Sequence, residues 1–568
     1  MTTTTTDITG TGAYYMARAL REHGVQRVFG LCGDHINSLY RATALEGIEI
    51  IGTRSESGAV HMADAWARTT GQLGVAFVTG CPGHSNALTG MAVATNAGSP
   101  VLVVSGFTPS NQRERGGSQV MHQADLARPV SKWALEVNDG THMAEMVGKA
   151  IRIATTGTPG AVNLSVASDI MDEPVPAGPD YPEDHIRAVT RRDPVRTAAS
   201  LPADALGDIH SLLMKAEKPV IILGNGARTD GGDFIDLSRR IGAPVFTIDQ
   251  ARGLVPDDGE IGFGYADPLF NRTFREIIGA DLILLAGATI DFHTCFGREQ
   301  LLRPDVCIVQ ASEDPSLLNQ CRQGELSIVG PASALLAAAA HIVEANKLKQ
   351  RWQPWFNHIR THYANTRKDW ADQVRAASST DDSIHPLQLC ASLERHRTTD
   401  TGIMIDAGDF VHWPRAYFPA MRQGRWMDAV LIGNLGGSLP LGIGSQLAHD
   451  KGQTWVFIGD GGFAFYSWEL EVAVEKKLPL KIILGNDAAW GIEKRLQLNA
   501  YGAHVGCELR RIRYDHYAQM LGATGIYVSQ ASELDDAVDK LIAAEGPALL
   551  NVDIRPMAGR PLADFKRY

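Results

Sequence analysis

Short apolar runs rich in β-branched residues recur along the chain, and each is followed by a stretch with helical patterning. Strands that are covered by helices on both faces lose the alternation of polar and apolar residues, so such runs are typical of parallel sheets. The sequence therefore predicts an α/β protein with three parallel sheets, each flanked by helices. The runs fall into three groups of four: RVFGL, IEIIG, GVAFVTG and PVLVVSG; PVIILG, APVFTI, ADLILLAG and VCIVQ; GIMIDAG, TWVFIGD, LKIILGN and PALLNVDI.

The length and two linker-like segments divide the chain into three predicted domains, because 568 residues are too many for a single hydrophobic core. The segment MDEPVPAGPDYPED separates the first two groups of runs, and a polar helical stretch followed by SSTDDS separates the last two. We predict domains at residues 1–180, 190–345 and 380–568, and we interpret the central one as a core without catalytic residues. Its loop LGNGARTDGG is a weak nucleotide-binding signal that also suits an ordinary turn.

Composition and charge restrict the classes of partner. The chain is 44% apolar and 21% charged, as in ordinary globular proteins, and its net charge is −11. An acidic chain of this kind is not expected to bind nucleic acid or a membrane, so an anionic ligand needs a local basic or amide-rich site. Its seven cysteines form no CxxC pair, no apolar run reaches 18 residues, and MTTTTTDITG lacks a signal-peptide pattern. These features favour a cytoplasmic protein with reduced thiols.

Two neighbouring runs of the third group end in a pattern suited to a metal-bound diphosphate. TWVFI is followed by GDGG at residues 459–462, and LKIILG is followed by Asn486-Asp487. Ligands of parallel sheets bind at the carboxyl ends of the strands, where glycines let the backbone approach and a helix N-terminus favours phosphate. Asp460 and the second strand end supply oxygen ligands of the kind that Mg²⁺ prefers. The alternative is a pair of ordinary turns with helix-capping side chains.

This spacing resembles the metal–diphosphate motif of thiamine-diphosphate enzymes, in which GDG is followed about 25 residues later by an amide pair. The resemblance implies thiamine diphosphate and Mg²⁺ as cofactors, with Asp460, Asp487 and the carbonyl of Ala489 on the metal. The family motif usually ends in asparagine, so Asp487, 27 residues after Asp460, is a departure that adds negative charge beside the metal. If Asn486 is the ligand instead, the register is one residue earlier. The glycines that would approach the diphosphate are Gly459, Gly461 and Gly462.

The N-terminal third carries the other half of this family's cofactor site. RSESGAVHMADAWAR, residues 54–68, resembles the family's HEQxAAHMAxGYAR segment, which implies that Glu56 hydrogen-bonds the aminopyrimidine ring. The apolar surroundings suit a carboxyl group that shares a proton with a ring nitrogen. VTGCPGHSNALTGMAVA resembles the family's S-G-P-G-x-x-N loop, and GGSQVMHQ places Gln119 where many members have Phe-Gln-Glu. Ser118 and Val120 replace the phenylalanine and the glutamate, so only the glutamine carries over.

Four further residues match family positions that act on the cofactor or the substrate. Gly437-Ser-Leu439-Pro resembles the G-x-M-G turn, in which the glycine carbonyl binds the amino group and a bulky side chain holds the cofactor bent. His35, in FGLCGDHINSLY, is similar to a loop histidine of benzaldehyde lyase. Glu493, in NDAAWGIE, falls where pyruvate-decarboxylase-type enzymes keep an acid–base glutamate. A helix-capping histidine and a surface glutamate are the alternatives for the last two.

The C-terminal segment AGRPLADFKRY resembles the basic-aromatic tail of 2-hydroxyacyl-CoA lyases and oxalyl-CoA decarboxylases. In those enzymes the segment closes over the coenzyme A thioester, which implies a lid at about 555–568 that includes Arg560, Lys566 and Arg567. GFAFYSWELE, residues 462–471, is also similar to the lyase form. A frayed terminus is the alternative for the tail.

The resemblance covers essentially the whole chain and favours 2-hydroxyacyl-CoA lyases, in particular the branch that acts on 2-hydroxyisobutyryl-CoA. It implies cleavage of an acyl-CoA substrate to formyl-CoA and a ketone or aldehyde, acetone in the favoured case, and the reverse condensation, without a flavin. It also implies a homodimer at minimum and commonly a homotetramer, because the two halves of the family's site come from different subunits. The alternatives are a CoA-independent carboligase of the benzaldehyde-lyase type, oxalyl-CoA decarboxylase and an inactive cofactor-binding regulatory subunit. Acetolactate synthase is disfavoured by the altered Phe-Gln-Glu segment and by Glu493.

Overall fold

The computed structural model describes residues 8–175, 186, 201–377, 383–428, 431–449 and 451–559. These residues form three six-stranded sheets, and neighbouring strands within each sheet run parallel. The predicted α/β class with three helix-flanked parallel sheets is therefore confirmed. The chain divides into two compact units, of which the first holds one described sheet and the second holds the other two. The boundaries at 1–180, 190–345 and 380–568 stay a prediction.

The first unit contains a sheet in which three fully buried strands lie next to one another near the centre. Their sequences GVAFV, VLVVSGF and AVNLSVA are buried at every residue, which explains why they lack polar alternation. The strands are β1 (Arg27–Gly30), β2 (Glu49–Gly52), β3 (Gly74–Val78), β4 (Val101–Phe107), β5 (Trp133–Val137) and β6 (Ala161–Ala167), in the order β2-β1-β3-β4-β6-β5. The α-helices of this unit are Gly12–Glu22, Asn37–Leu45, Glu56–Thr70, Pro82–Asn96, Gln123–Ala127, Met143–Thr155, Ser168–Asp172, Ser438–Leu447 and Leu470–Glu475.

The second unit begins with a sheet that is covered by the 29-residue helix Lys349–Ala377. Trp352 and Trp355 of this helix are buried, and their ring N–H groups donate to the carbonyls of Ala216 and Pro219. The strands are β7 (Pro219–Leu223), β8 (Val245–Thr247), β9 (Gly262–Tyr265), β10 (Leu282–Ala286), β11 (Cys307–Ser312) and β12 (Leu326–Val329), in the order β12-β11-β10-β7-β8-β9. The other α-helices here are Ala203–Lys215, Asn225–Arg228, Phe234–Ile241, Arg272–Arg275 and Ala332–Ala345.

The other sheet of the second unit carries the GDGG segment at the carboxyl end of a central strand. The strands are β13 (Gly402–Ile405), β14 (Trp426–Asp428), β15 (Thr454–Gly459), β16 (Leu480–Asn486), β17 (Thr524–Val528) and β18 (Ala548–Asp553), in the order β14-β13-β15-β16-β18-β17. Gly459 at the end of β15 pairs with Gly485 near the end of β16, so the two strand ends lie side by side. The α-helices are Pro386–Glu394, His412–Tyr417, Asp460–Tyr466, Gly491–Tyr501, Tyr514–Met520 and Leu534–Ala543.

Each sheet contains two strands that the apolar runs did not predict. Five of these six strands, β5, β9, β12, β14 and β17, lie at sheet edges among the described residues. Edge strands need less apolar sequence because one side and part of a face meet solvent. The sixth, β6, is central, but buried Asn163 and Ser165 interrupt its apolar pattern. Within the described ranges, no helix is long and apolar enough to cross a membrane.

Candidate active site

Glu56 is the first residue of the helix Glu56–Thr70, whose N-terminus is capped by the side chain of Ser55. It is buried, with 8% of the residue exposed. One carboxylate oxygen, Oε2, accepts a hydrogen bond from Nδ2 of Asn86 at 3.1 Å. The other oxygen, Oε1, faces Gly83, where a Cβ would lie only 3.3 Å away. One carboxylate oxygen is thus fixed by a hydrogen bond, and the other has no side chain in front of it at residue 83. This arrangement suits a hydrogen bond from Oε1 to a ligand ring nitrogen.

Glu469 braces the backbone just before Glu56 in the first unit. Its carboxylate accepts hydrogen bonds from the backbone N–H of Arg54 at 3.1 Å and from Oγ of Ser55 at 2.7 Å. Burial raises the pKa of the Glu469 carboxyl, and these hydrogen bonds oppose that shift. Arg54 also donates to the Glu471 carboxylate at 2.7 Å. The two glutamates of the ELE segment therefore act together to fix the start of the Glu56 helix.

His35 lies at the same carboxyl edge of the first sheet, in the 3₁₀ turn Asp34–Ile36 that follows β1. Its Nδ1 lies 3.1 Å from Oγ1 of Thr79, the residue that follows β3. β1 and β3 are neighbouring parallel strands, so their carboxyl ends bring these two residues together. Burial lowers the pKa of His35, and the charge of Asp34 opposes that shift. The His35 imidazole is therefore oriented by Thr79, and its burial disfavours the charged form.

The two glutamines of GGSQVMHQ lie in different environments. Gln119 is exposed, its φ is +60°, and its carbonyl accepts a hydrogen bond from Oγ1 of Thr108 at 2.9 Å. Among the described residues, no hydrogen bond joins its side chain to Glu56 or His35. Gln123, which was not among the predicted site residues, is fully buried. The structure therefore brings Glu56 and His35 to one edge but leaves the predicted Gln119 on the surface of the first unit.

Gly437 and Leu439 lie at the start of the helix Ser438–Leu447, which belongs to the first unit. A Cβ at Gly437 would lie 2.6 Å from Nδ2 of Asn434, so any other residue there would displace the Asn434 side chain. That same Nδ2 lies 3.0 Å from Nε2 of His61, which is buried with its pKa lowered to about 4 by desolvation. Leu439 is fully buried. The turn is thus held by a neutral histidine–amide pair.

Asp460 is the first residue of the helix Asp460–Tyr466 and directly follows Gly459, the last residue of β15. Only 2% of Asp460 is exposed, and its Oδ2 is buried without a hydrogen-bond partner among the described residues. Burial and the neighbouring charge of Asp487 raise the pKa of Asp460 to about 7. A buried carboxylate oxygen with no partner beside a second carboxylate is the environment that a divalent cation stabilises.

The glycines of GDGG differ in what surrounds them. A Cβ at Gly461 would lie 2.5 Å from the Trp490 ring, and a Cβ at Gly462 would collide with the carboxylate of Asp406. A Cβ at Gly459 would meet no atom within 4 Å. Two of the glycines are therefore required by close packing, while the third faces open space at the helix N-terminus, where a phosphate group can approach.

The structure separates the roles of Asn486 and Asp487. Asn486 is buried, and its Nδ2 donates to the carbonyl of Ile512 at 3.0 Å and to Oδ1 of Asn551 at 3.3 Å. Its Oδ1 accepts the backbone N–H of Ala488 at 3.2 Å, so both the nitrogen and the oxygen of the side-chain amide are hydrogen-bonded within the protein. Asp487 instead lines a cavity, and burial raises its pKa. The acid rather than the amide thus lines the cavity, and its charge acts on Asp460.

Ala489 lines the same cavity as Asp487 and offers a carbonyl oxygen of the kind that Mg²⁺ accepts. Pairing of this segment with residues 507–509 uses the carbonyls of Ala488 and Cys507, which leaves the Ala489 carbonyl outside that pairing. Two carboxylates and one carbonyl are hard oxygen ligands, and Mg²⁺ needs only a few of them when diphosphate and water supply the rest. Within the described residues no group of three or more acidic, histidine or cysteine side chains has the geometry of a metal site.

A cavity of about 210 Å³ lies next to Asp487 in the second unit. The helix Gly491–Tyr501 forms one wall, and Glu493 is an exposed residue of its first turn. Asp409 accepts hydrogen bonds from Nη2 of Arg495 at 2.7 Å and from the backbone N–H of Gly559 at 3.1 Å. The lining consists of Asp409, Asp487, Ala489, Gly491, Lys494, Arg495, Leu498, Asn499, Pro556, Met557 and Ala558. Arg560, Lys566 and Arg567 lie outside the described residues.

Four residues that hydrogen-bond to a predicted site residue or to the segments around one were absent from the sequence-based set. Asn86 is the last residue of the S-G-P-G-x-x-N pattern, and Glu469 belongs to the E-x-E segment, so both carried a signal. Asp409 follows β13, whose carboxyl end lies beside that of β15. An acidic residue just after a predicted strand was therefore also a signal in the sequence. Gln123 had no signal, because its partners are brought to it by the fold.

Comparison with known families finds three successive matches. Residues 10–126 match the family described as thiamine pyrophosphate enzyme, N-terminal TPP binding domain. Residues 206–339 match the thiamine pyrophosphate enzyme central domain, and residues 406–552 match the C-terminal TPP binding domain. Together the matches cover well over half of the chain, in the order of the three sheets.

Curated relatives match along nearly the whole length. 2-Hydroxyacyl-CoA lyase 2 of Homo sapiens is 28% identical over 565 residues, covering 94% of this chain and 87% of that protein. Acetolactate synthase large subunit IlvG of Mycobacterium tuberculosis is 29% identical over 565 residues, covering 96% of each. Acetolactate synthase of Bacillus subtilis is 28% identical over 553 residues, covering 96% and 93%. The chain belongs to the thiamine pyrophosphate enzymes, in the family that includes 2-hydroxyacyl-CoA lyases and acetolactate synthases.

Proposed function

We propose that this thiamine-diphosphate enzyme is a 2-hydroxyacyl-CoA lyase that cleaves 2-hydroxyisobutyryl-CoA to formyl-CoA and acetone, and that also runs in reverse. The observation that carries the proposal is the cavity beside Asp487, which Lys494 and Arg495 line. Each cation already has an acidic partner, Lys494 with Glu508 at 2.8 Å and Arg495 with Asp409 at 2.7 Å, so the phosphates of a phosphorylated nucleotide would take the place of one of these acids. The C-terminal stretch 556–558 lines the same cavity, which agrees with a tail that covers a long substrate.

When bound, thiamine diphosphate supplies an electron sink that accepts the electron pair of the breaking carbon–carbon bond. Glu56 would hydrogen-bond the aminopyrimidine ring through Oε1, since Oε2 is held by Asn86. The carbonyl of Gly437 would accept from the amino group, and Leu439 would pack against the cofactor. The hydrogen bond from Asn86 keeps Glu56 oriented while its other oxygen shares a proton with the ligand.

Mg²⁺ would be held by Asp460, Asp487 and the carbonyl of Ala489, with the diphosphate at the N-terminus of the helix Asp460–Tyr466. Asp487 is preferred to Asn486 because the amide of Asn486 is occupied by its own neighbours. An aspartate at this position would bind the cation more strongly and would repel diphosphate more than an asparagine does.

The proton transfer would fall to a residue of the helix Gly491–Tyr501, and the orientation of the substrate to residues of the first unit. Glu493, as a carboxylate, would accept the proton of the 2-hydroxyl group. The bond between C1 and C2 then breaks, C2 leaves as the ketone carbonyl, and C1 takes up a proton and leaves as formyl-CoA, so atoms and charge balance. His35 and Gln119 would orient the substrate oxygens. Glu493 and Gln119 are exposed in the single chain, which supports a site completed by a second copy, at minimum a homodimer.

The test is an assay of the purified protein with thiamine diphosphate, Mg²⁺ and 2-hydroxyisobutyryl-CoA, read by mass spectrometry. Formation of formyl-CoA together with acetone is expected, and Glu56→Ala should abolish it. Glu545→Ala, which changes an exposed glutamate far along the chain, is the matched control and should keep full activity. Absence of both products with the intact protein contradicts the proposed reaction.

Acetolactate synthase is the second candidate, because two of its representatives match this chain as closely as the lyase does. It predicts formation of acetolactate from pyruvate and indifference to acyl-CoA. Running both substrates side by side on the same preparation separates the two reactions. Acetolactate formation that is much faster than thioester cleavage would assign the chain to the synthases.

A further inference from the structure

The loop 79–83 contacts both predicted catalytic residues of the first unit. Oγ1 of Thr79 lies 3.1 Å from Nδ1 of His35 at one end of the loop. At the other end, Gly83 lies against Oε1 of Glu56, and a Cβ on residue 83 would be 3.3 Å from that oxygen. The path of this backbone therefore sets where His35 and the free oxygen of Glu56 lie relative to each other.

The middle of this loop is strained. Cys81 has φ +52° and ψ −101°, a backbone conformation that residues with a Cβ rarely adopt. Strained residues of this kind persist only where the surrounding structure holds them, and they concentrate at functional sites. The Cys81 backbone must therefore be held by specific contacts.

Gln123 supplies the contact that holds Cys81. Its Oε1 accepts the backbone N–H of Cys81 at 2.8 Å. Its Nε2 donates to the carbonyl of Gly106 at 3.0 Å and to Oγ of Ser165 at 3.2 Å. Because one partner is an obligate donor and another an obligate acceptor, the amide has a single orientation. The side chain is fully buried, so water cannot replace these bonds.

A buried polar network fixes Gln123 in turn. Oγ of Ser165 donates to Oδ1 of Asn163 at 3.0 Å, and Nδ2 of Asn163 donates to Oγ of Ser105 at 3.0 Å. Oγ of Ser105 lies 2.9 Å from Nδ1 of His84, which is on the helix that follows the loop. The hydrogen bonds from Gln123 through Ser165 and Asn163 to Ser105 make this region rigid, while Nε2 of His84 is buried without a hydrogen-bond partner among the described residues. The network runs from strands β4 and β6 to both ends of the strained segment.

We infer that Gln123 is a positioning residue, which holds Cys81 in its strained conformation and thereby sets the loop 79–83 against Glu56 and His35. This inference rests on the proposed use of Glu56 in binding thiamine diphosphate. Gln123 itself touches neither Glu56 nor His35 among the described hydrogen bonds, so it acts through the backbone of the loop. If Gln123 only stabilised the core, replacing it would not change both the hydrogen exchange of the loop and the affinity for the cofactor.

Hydrogen exchange measured by mass spectrometry tests the first half of the inference without any ligand. The backbone N–H of Cys81 is protected only while Gln123 accepts from it, so Gln123→Met should speed its exchange at least tenfold. Gln123→Glu keeps an acceptor and should retain most of the protection. Gln72→Met, at an exposed glutamine, is the matched control. Unchanged exchange at Cys81 in Gln123→Met overturns the inference.

Cofactor titration tests the second half. Gln123→Met should weaken thiamine diphosphate binding, measured by isothermal titration calorimetry, about tenfold or more. Glycine adopts φ +52° without strain, so Cys81→Gly placed in the Gln123→Met protein should restore most of the lost affinity. Loss of affinity that Cys81→Gly does not restore, in parallel with a lowered Tm, means that Gln123 serves core stability alone and overturns the inference. If the unaltered protein binds no thiamine diphosphate, the proposed function fails, while the exchange experiment still decides the role of Gln123.

Discussion

Asp409 and Arg495 form a two-point ion pair, with Nη2 of Arg495 2.7 Å from Oδ1 and Nε 3.3 Å from Oδ2 of the carboxylate. The same Oδ1 accepts the backbone N–H of Gly559 at 3.1 Å. Gly559 packs so closely on Asp409 that a Cβ there would collide with its backbone. One buried carboxylate thus joins the loop after β13, the helix that carries Glu493, and the start of the C-terminal tail.

Replacing Asp409 should therefore loosen the cavity wall. We expect Asp409→Ala to lower kcat/KM for the acyl-CoA substrate about tenfold, mainly through a higher KM, because charge-assisted pairs with fixed geometry hold their partners firmly. Steady-state kinetics over a range of substrate concentrations measures this. Asp305→Ala breaks the exposed ion pair with Arg303 and should change nothing. Equal kinetics in the two variants would remove Asp409 from substrate binding.

Glu493→Gln should keep thiamine diphosphate binding but lower turnover roughly 100-fold, because the amide cannot accept the proton of the 2-hydroxyl group. Calorimetric titration of the cofactor and a single-turnover assay with the acyl-CoA substrate measure the two properties separately. Glu545→Gln, at an exposed position, serves as the control. Turnover close to that of the unaltered enzyme would exclude Glu493 as the base.

Two substitutions at the end of β16 should separate metal binding from folding. Asp487→Asn should weaken Mg²⁺ binding, because one of two adjacent carboxylates is lost, while the Tm without metal stays the same or rises. Asn486→Ala should instead lower the Tm, because Oδ1 of buried Asn551 loses its donor and the carbonyl of Ile512 keeps only its second donor, Nδ2 of Asn551. Activity titrated with Mg²⁺ after chelator treatment, together with thermal unfolding, provides both readouts. Loss of Mg²⁺ affinity in Asn486→Ala with an unchanged Tm would move the metal ligand one residue earlier.

Acid should destabilise the first unit through its buried histidines. Burial lowers the pKa of His84 and of His61 to about 4, whereas in the unfolded chain both are near 6.5. Between pH 6.5 and pH 4 the unfolded chain binds more protons, so the free energy of unfolding falls as the pH falls. Below about pH 4 the loss is complete, about 3 kcal/mol for each histidine.

Thermal unfolding at pH 7 and at pH 4 checks this prediction with His84→Gln, which keeps a side chain able to bond Oγ of Ser105. The drop in Tm between the two pH values should be smaller in His84→Gln than in the unaltered protein. His210→Gln, at an exposed histidine, should leave the drop unchanged. An equal drop in all three proteins would show that acid destabilises the unit through other groups.

Much of the candidate site was predictable because its residues come in short contiguous motifs. The turn Gly459–Asp460 lies where a strand passes directly into a helix, and the start of the Glu56 helix is capped by the neighbouring Ser55, so both are recognisable from a few contiguous residues without knowledge of the fold. The choice between Asn486 and Asp487 was not predictable in this way. It depends on Ile512 and Asn551, which the sheet brings beside Asn486 from distant parts of the chain.

By itself the sequence determined the α/β class, twelve of the strands and the position of the GDGG motif, because burial on both faces and turn chemistry are written in local residue patterns. Only the tertiary structure decided β6 and the five edge strands without an apolar run, the hydrogen bonds that occupy the Asn486 amide and the pairing of Asp409 with Arg495. The tertiary structure also decided which of the two glutamines of GGSQVMHQ is buried, Gln123 and not Gln119. These features depend on which groups meet across parallel strands, and parallel pairing joins residues that are far apart in the chain.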